Sequence, residues 1–344
     1  MDARELERVA GELAASAGLH VTAAPEAVPS ARNNRGYRLE TCERPLFVKV
    51  FYRGDDDERD RLGAEVAFAR FAWTHGVRAL PEPVAADAAH GVALSAFVDG
   101  RRLEPAEIDA ARVDEALSFV EAINAHRTDP EAVRLPDASE ARFSIAGHLA
   151  LVEQRIARLD RIAPGDGVDG EAAAWVADEL RPAWGRVNAA VLAGAGEAGL
   201  AAGAELTAGQ RCLSPSDFGF HNALVDRDGR LVFHDFEYAG RDDPAKLVSD
   251  FFCQPEVPVP ADQADRFADR LAAALALDAG QRARMTLLAP VFRIKWCCII
   301  LNEFVATDRR RRQFAGDEEV GDERKREQLG KARRMLASAR DRDS

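Results

Sequence analysis

The stretch 213–238 sets the tightest limits on the chain's fold. It reads Leu213-Ser-Pro-Ser-Asp217-Phe-Gly-Phe-His-Asn222, then Ala223-Leu-Val-Asp226, the pair Asp228-Gly229, Leu231-Val-Phe-His234, and finally Asp235-Phe-Glu237-Tyr238. Apolar residues alternating on either side of an Asp-Gly pair predict a β-hairpin, because Gly supplies the positive φ that a tight turn needs. With Asp228-Gly229 as a two-residue turn, Asn222 stands opposite Asp235. Directly opposed residues hold their Cβ atoms about 4.5–5.5 Å apart. An amide oxygen and a carboxylate at that spacing can share one hard cation, with Asp217 one loop away. The set suits Mg²⁺, which takes oxygen ligands at about 2.0–2.1 Å and keeps waters or substrate phosphates. Asx-turn chemistry around a hairpin is the competing reading. Any one of the three residues fits it; the three together fit it poorly.

Around this hairpin the pattern divides the chain. Residues 2–17 form an amphipathic helix with Leu6, Val9 and Leu13 on one stripe. Residues 19–52 read as short strands, with a turn at Asn33-Asn34-Arg35-Gly36 and the apolar run Leu46-Phe-Val-Lys49-Val-Phe51 after Arg44-Pro45. Beyond the acidic run Asp55-Asp56-Asp57 a helix continues to about His75, where Gly76 ends it. Strands follow at 84–86 and 92–98, separated by a turn at His90-Gly91. From Glu104 onward the pattern is helical, over 105–126, 140–163, 170–195, 262–276, 280–306 and 320–341, with 213–238 as the main β island. The expected class is α+β: a small antiparallel sheet with one long helix in 1–98, then a larger, mainly helical part in 99–344.

Two charged residues in the first part point to a core. Lys49 lies inside an apolar strand, where an unpaired ammonium is costly to bury. Glu65 is spaced three and four residues from Leu62 and Ala69, on the inward stripe of its helix. Pairing satisfies both; a solvent-facing edge Lys and a flank Glu is the alternative when they are taken alone. Asp217, in a loop of small and aromatic residues, is a carboxylate able to take a proton from an attacking hydroxyl. His221 and His234 flank the site and read as structural histidines, since strand alternation puts His234 on the face opposite Asp235. The apolar segment 290–305, with Arg293, Trp296 and Glu303, reads as a core helix with polar ends, and Arg309–Arg312 as a solvated helix end.

At 344 residues the chain can bury a substantial core in one large domain or two lobes. The balance of 46 basic against 58 acidic residues, net −12, disfavours nucleic acid and anionic membrane surfaces as partners. Cys42, Cys212, Cys253, Cys297 and Cys298 have no metal-ligand spacing, and three of them sit in apolar stretches as small hydrophobes. The charged N-terminus is unlike a signal peptide, and the Ala/Gly-rich stretch 188–204 is broken by Glu197 and glycines. These features together indicate a cytoplasmic protein.

The order Lys49, helix Glu65, Asp217-x4-Asn222, hairpin, Asp235-Phe-Glu237 resembles the small-molecule kinases related to aminoglycoside phosphotransferases and choline/ethanolamine kinases. The resemblance spans roughly residues 30–305 and is sharpest over 213–250. It implies a two-lobed protein-kinase-like fold and an ATP- and Mg²⁺-dependent phosphotransferase acting on a small-molecule hydroxyl. Carried over position by position, it makes Lys49 the contact to the α/β-phosphates, oriented by Glu65. Asp217 becomes the catalytic base, and Asn222 and Asp235 the Mg²⁺ ligands. The phosphate loop would include Asn34 and Gly36. Backbone near Ser95-Ala96-Phe97 would face adenine, with Phe97-Val98-Asp99-Gly100 as the hinge exit and Asp250 bracing the catalytic loop through backbone N–H groups.

Three positions depart from the family pattern. Pro215-Ser216 precedes Asp217 where His-Gly is usual, and Gly36 is the phosphate loop's lone glycine. Asp235-Phe-Glu-Tyr238 is closer to the choline/ethanolamine kinase style. An amino alcohol, a sugar or an aminoglycoside-like compound is the expected acceptor. A nucleotide-binding pseudokinase with a scaffolding role is the rival. Protein-kinase activity ranks lower, because the path from Asp235 to Asp250 is short for an activation loop and peptide platform.

Overall fold

A computed structural model describes residues 1–28, 34–53, 59–305 and 321–340. Asn33 of the expected turn, the acidic run Asp55–Asp57 and the basic run Arg309–Arg312 lie outside them. Helix α1 (Ala3–Ser16) starts at Asp2, whose carboxylate accepts the Glu5 N–H at 2.9 Å. Strands β1 (Glu26–Val28), β2 (Arg35–Leu39) and β3 (Leu46–Val50) are followed by helix α2 (Arg61–Thr74), then β4 (Pro83–Asp87) and β5 (Val92–Ala96). They form one antiparallel sheet in the order β1-β2-β3-β5-β4.

Alternation along β3 decides what faces where. Leu46, Val48 and Val50 pack with Val92, Leu94 and the α1 stripe Leu6, Val9, Ala10 and Ala14. Lys49 and Phe47 therefore take the opposite face, with Lys49 in register beside Gly36 and Ala93, and Phe47 beside Ser95. Helix α2 is capped by Asp60 and ends at His75, with Gly76 at φ +80°. Its Phe68, Phe71 and Ala72 belong to the larger core of the helical part, where Phe68 meets Phe236 at 5.1 Å between ring centroids.

The second part begins with β6 (Gly100–Arg102), α3 (Ala110–Asn124), α4 (Pro130–Val133), α5 (Ile145–Leu159), α6 (Val168–Trp175) and α7 (Arg181–Glu197). A π-helical turn, Val176–Leu180, joins α6 to α7 within the single helix expected over 170–195. Pro182 has no N–H to give the usual ladder there, and Arg181 N–H bonds Val176 instead. Then come β7 (Cys212–Ser214), β8 (Ala223–Asp226), β9 (Leu231–Phe233), β10 (Gly240–Asp242), α8 (Pro244–Cys253), α9 (Ala264–Ala274), α10 (Ala279–Ile300) and α11 (Asp322–Arg340). The stretch Ala279–Phe304 is long and apolar enough by composition to cross a membrane, but it is mostly buried, with α5, α7, α8 and α11 packed on it. Cys212, Cys253, Cys297 and Cys298 are buried, one more than expected, and Cys42 is exposed.

The hairpin forms, with a register one residue away from the expected one. Ala223 faces Phe233, Leu224 faces Val232 and Val225 faces Leu231. The cause is the Asp226 carboxylate, which accepts the N–H groups of Asp228 and Arg230, each at 2.9 Å, and draws Arg227 into the loop. Gly229, at φ +80°, closes this longer turn. Asn222 consequently stands opposite His234, whose N–H donates to the Asn222 carbonyl at 3.0 Å, and not opposite Asp235. A one-residue slip normally turns side chains to the other face. Here β9 stops at Phe233, and Asp235 takes φ +67°, so strand alternation does not run through it.

Candidate active site

Between the sheet, α2 and the hairpin lies a cavity of about 430 Å³. Lys49, Glu65 and Asp235 meet in its wall, their side chains 8%, 18% and 10% exposed. The Lys49 ammonium touches Glu65 and lies 2.6 Å from Asp235 Oδ1. Burial alone would lower the lysine's pKa, but Asp235 and Glu65 outweigh it and raise it. Burial pushes the Glu65 carboxyl up to about 7 against the pull of Lys49. For Asp235 burial acts upward too, and Lys49 overcomes it, holding that carboxylate below its usual range. Lys49 thus stays charged and Asp235 stays ionised, while Glu65 is the member that takes up a proton most readily.

Asn222 lines the same cavity, and its amide NH₂ donates to the Asp217 backbone carbonyl at 2.9 Å. That bond fixes the amide orientation and leaves Asn222 Oδ1 as the acceptor atom. The Asp235 oxygen not bound to Lys49 belongs to the same cavity wall, and both atoms are oxygen donors of the kind a hard divalent cation takes. His234 lines the cavity with Asp235, contrary to the expectation that the two take opposite faces, because the left-handed Asp235 breaks the alternation. Burial lowers the His234 pKa to about 4, so its imidazole is neutral at ordinary pH.

Asp217 stands at the rim, outside the residues that line the cavity, with 38% of its side chain exposed. His221 Nε2 lies 3.2 Å from Asp217 Oδ1, and among the described residues His221 Nδ1 is buried with no hydrogen-bond partner. The neutral tautomer that suits this donates from Nε2 to the carboxylate. Reading His221 as merely structural missed this contact; its spacing of four residues after Asp217 was the available signal.

Beneath Asp217 the loop is pinned by charge. Ser216 adopts φ +68°, and its hydroxyl accepts from Lys246 Nζ at 2.8 Å. Lys246, 2% exposed, also pairs with Asp242 at 2.7 Å and with Asp250 at 3.1 Å. Asp250 does not accept loop N–H groups as expected. Its carboxylate takes Lys246, Lys295 Nζ at 2.9 Å and Trp296 Nε1 at 2.8 Å. It therefore reaches the loop through an ammonium relay, a compact point charge with rotatable donors that suits three partners at once. Burial of Asp250 would raise its pKa, and Lys295 and Lys246 hold it down.

The remaining expected nucleotide contacts are placed but differently engaged. Asn34 lines the cavity, yet its NH₂ donates to Glu237 at 2.8 Å and its Oδ1 accepts the Tyr52 N–H at 3.2 Å. Glu237, 1% exposed, also accepts from Arg61 at 2.8 Å, so it ties α2 and the start of β2 to the hairpin's exit. Gly36 lies opposite Lys49 in the sheet and is not part of the cavity wall. Ser95 and Phe97 are part of that wall. The N–H groups of Ala96 and Phe97 already bond the Glu82 and Pro45 carbonyls, at 2.8 and 3.1 Å.

An antiparallel sheet set against a helical part is the protein-kinase-like fold of small-molecule kinases. The chain belongs to the phosphotransferase enzyme family, whose profile matches residues 25–288. Among solved structures it is similar to choline kinase LicA from Streptococcus pneumoniae, at 16% identity and TM-score 0.57, covering 97% of this chain and 99% of that one. Spectinomycin phosphotransferase APH(9)-Ia in complex with ADP and spectinomycin matches at 9% identity and TM-score 0.57, covering 96% and 98%. A choline/ethanolamine kinase family protein from Mesorhizobium loti matches at 19% identity and TM-score 0.52, covering 93% of each chain. No curated protein matches the sequence.

Proposed function

We propose that the protein transfers the γ-phosphate of ATP to a hydroxyl of a small polar molecule: an amino alcohol, a sugar or an aminoglycoside-like compound. The observation that carries this reading is the Lys49 ammonium fixed between Glu65 and Asp235 in a cavity that Asn222 also lines. The nucleotide would lie between the part up to residue 98 and the part from 99 onward, against Ser95 and Phe97. Lys49 would neutralise its phosphates, oriented by Glu65. Asn222 and Asp235 would hold Mg²⁺, which offsets charge on the phosphate oxygens. The rim position of Asp217 supports its role as base: an acceptor can approach from solvent, outside the nucleotide cavity. Its oxygen forms a bond to the γ-phosphorus as the bond to the ADP oxygen breaks, and its proton passes to Asp217. His221 orients that carboxylate from one side, and the Lys246–Ser216 contact holds the loop from below.

ADP release, measured with Mg²⁺ and ATP against a panel of amino alcohols, sugars and aminoglycosides, tests the proposal. Acceptor-dependent ADP formation supports it. ATP binding without turnover on any hydroxyl compound would instead identify a nucleotide-binding pseudokinase with a regulatory role.

A further inference from the structure

Away from the cavity, two imidazoles and a carboxylate converge where helices end. His75 is the residue after α2, and His126 follows the last turn of α3. Asp129 occupies the position before α4, but its side chain makes no capping bond there. It turns toward the imidazoles: His75 Nε2 and His126 Nδ1 each lie 3.3 Å from Asp129 Oδ2. The two rings sit 4.4 Å apart between centroids. We propose that His75, His126 and Asp129 form a binding site for a divalent transition metal of the Zn²⁺ class, with solvent completing the coordination.

The distances favour this over simple ion pairing. A charge-assisted N–H···O⁻ bond is about 2.7–2.9 Å long. Ligand atoms placed around a tetrahedral Zn²⁺ at about 2.0–2.1 Å stand roughly 3.3–3.4 Å from one another. Both His–Asp separations match that edge, and one ligand atom from each residue lies within 4.8 Å of the others.

Orientation and field point the same way. The Phe71 carbonyl lies 2.7 Å from His75 Nδ1, a contact that fixes the proton on Nδ1 and directs the Nε2 lone pair at the site. The C-terminal ends of α2 and α3, each the negative pole of its helix, meet here and favour a bound cation. The side chains of His75, His126 and Asp129 are 16%, 40% and 42% exposed, so an ion can enter from solvent. A bound ion would clip the end of α2, the helix that carries Glu65, to the helical part.

The test uses the full chain, stripped with chelator and kept in excess Mg²⁺ so that oxygen-only positions stay filled. Zn²⁺ affinity is measured by competition with a chromophoric chelator, and Co²⁺ substitution by its visible absorption. Uptake of one equivalent, four-coordinate Co²⁺ bands, and binding weakened at least about tenfold in His126→Ala and Asp129→Asn are expected. No uptake, or equal affinity in both variants, overturns the proposal. Should a variant fail to fold, Zn X-ray absorption on the wild-type chain decides. Two imidazoles in the Zn²⁺ shell support the site, and sulfur or all-oxygen ligation refutes it.

Discussion

Replacing Lys246 by Met removes a charge from under the Ser216–Asp217 loop while keeping most of the side chain's volume. The ammonium is shared by Asp242, Asp250 and the Ser216 hydroxyl. Asp250 keeps Lys295 at 2.9 Å and Trp296 at 2.8 Å, so Asp242 is the buried carboxylate that loses its cation. Leaving one member of such a pair uncompensated costs about 3–5 kcal/mol. Spread over the unfolding entropy of 344 residues, that is a fall in Tm of about 4–7 °C. The loss depends on pH. Burial already raises the Asp242 pKa, against the pull of Lys246. A carboxyl whose folded pKa lies above its unfolded one loses stability as pH climbs from the unfolded value through the folded one. Without Lys246 the folded value moves further up and the window extends toward neutrality. Acidification then restores part of the variant's stability. In the wild type the pKa of Lys246 is raised, so the stability it contributes is lost only at alkaline pH. Urea unfolding at about pH 8 and about pH 5.5 reads the difference, with the gap to wild type expected to shrink by at least about 1 kcal/mol at the lower pH. A gap that is equal at both, or below about 1 kcal/mol throughout, would mean that Lys246 does not hold Asp242 in its charged form.

His221→Phe keeps a ring of similar shape and removes the donor to Asp217, so turnover should fall about tenfold while the KM for MgATP stays within about twofold; steady-state kinetics at saturating acceptor reads both. Gly240→Ala would place a Cβ 2.2 Å from the Pro136 carbonyl oxygen and 2.7 Å from Ala138 N. Both are backbone atoms with little room to yield, and urea midpoints should show a loss of at least about 2 kcal/mol.

The parts of the site that were legible in the sequence rest on local periodicity. Period two sent Lys49 away from Val48 and Val50, and period 3.6 put Glu65 on an inward stripe; the two now touch. The hairpin itself was legible from Asp228-Gly229, but its register was not, because that depended on Asp226 capping the loop with its own side chain. Nor does any periodic pattern announce the left-handed Asp235, which brings His234 and Asp235 into one cavity. The Lys246–Asp250–Lys295 cluster couples an i,i+4 pair on α8 to Lys295 of α10, distant in sequence, and each lysine by itself resembles an ordinary helix-surface residue. Glu237 and Arg61, paired from opposite sides of the cleft, were invisible for the same reason.

In the proposed division of labour, Asp217 acts on the acceptor while Asn222 and Asp235 hold the metal–nucleotide complex. Titration of MgATP into wild type, Asp217→Asn and Asp235→Asn, paired with single-turnover assays on an accepted hydroxyl compound, separates these roles. Asp217→Asn should bind MgATP within about twofold of wild type while turnover falls at least about 100-fold. Asp235→Asn should bind MgATP at least about tenfold more weakly. Weakened binding in Asp217→Asn alongside unchanged binding in Asp235→Asn would contradict that division.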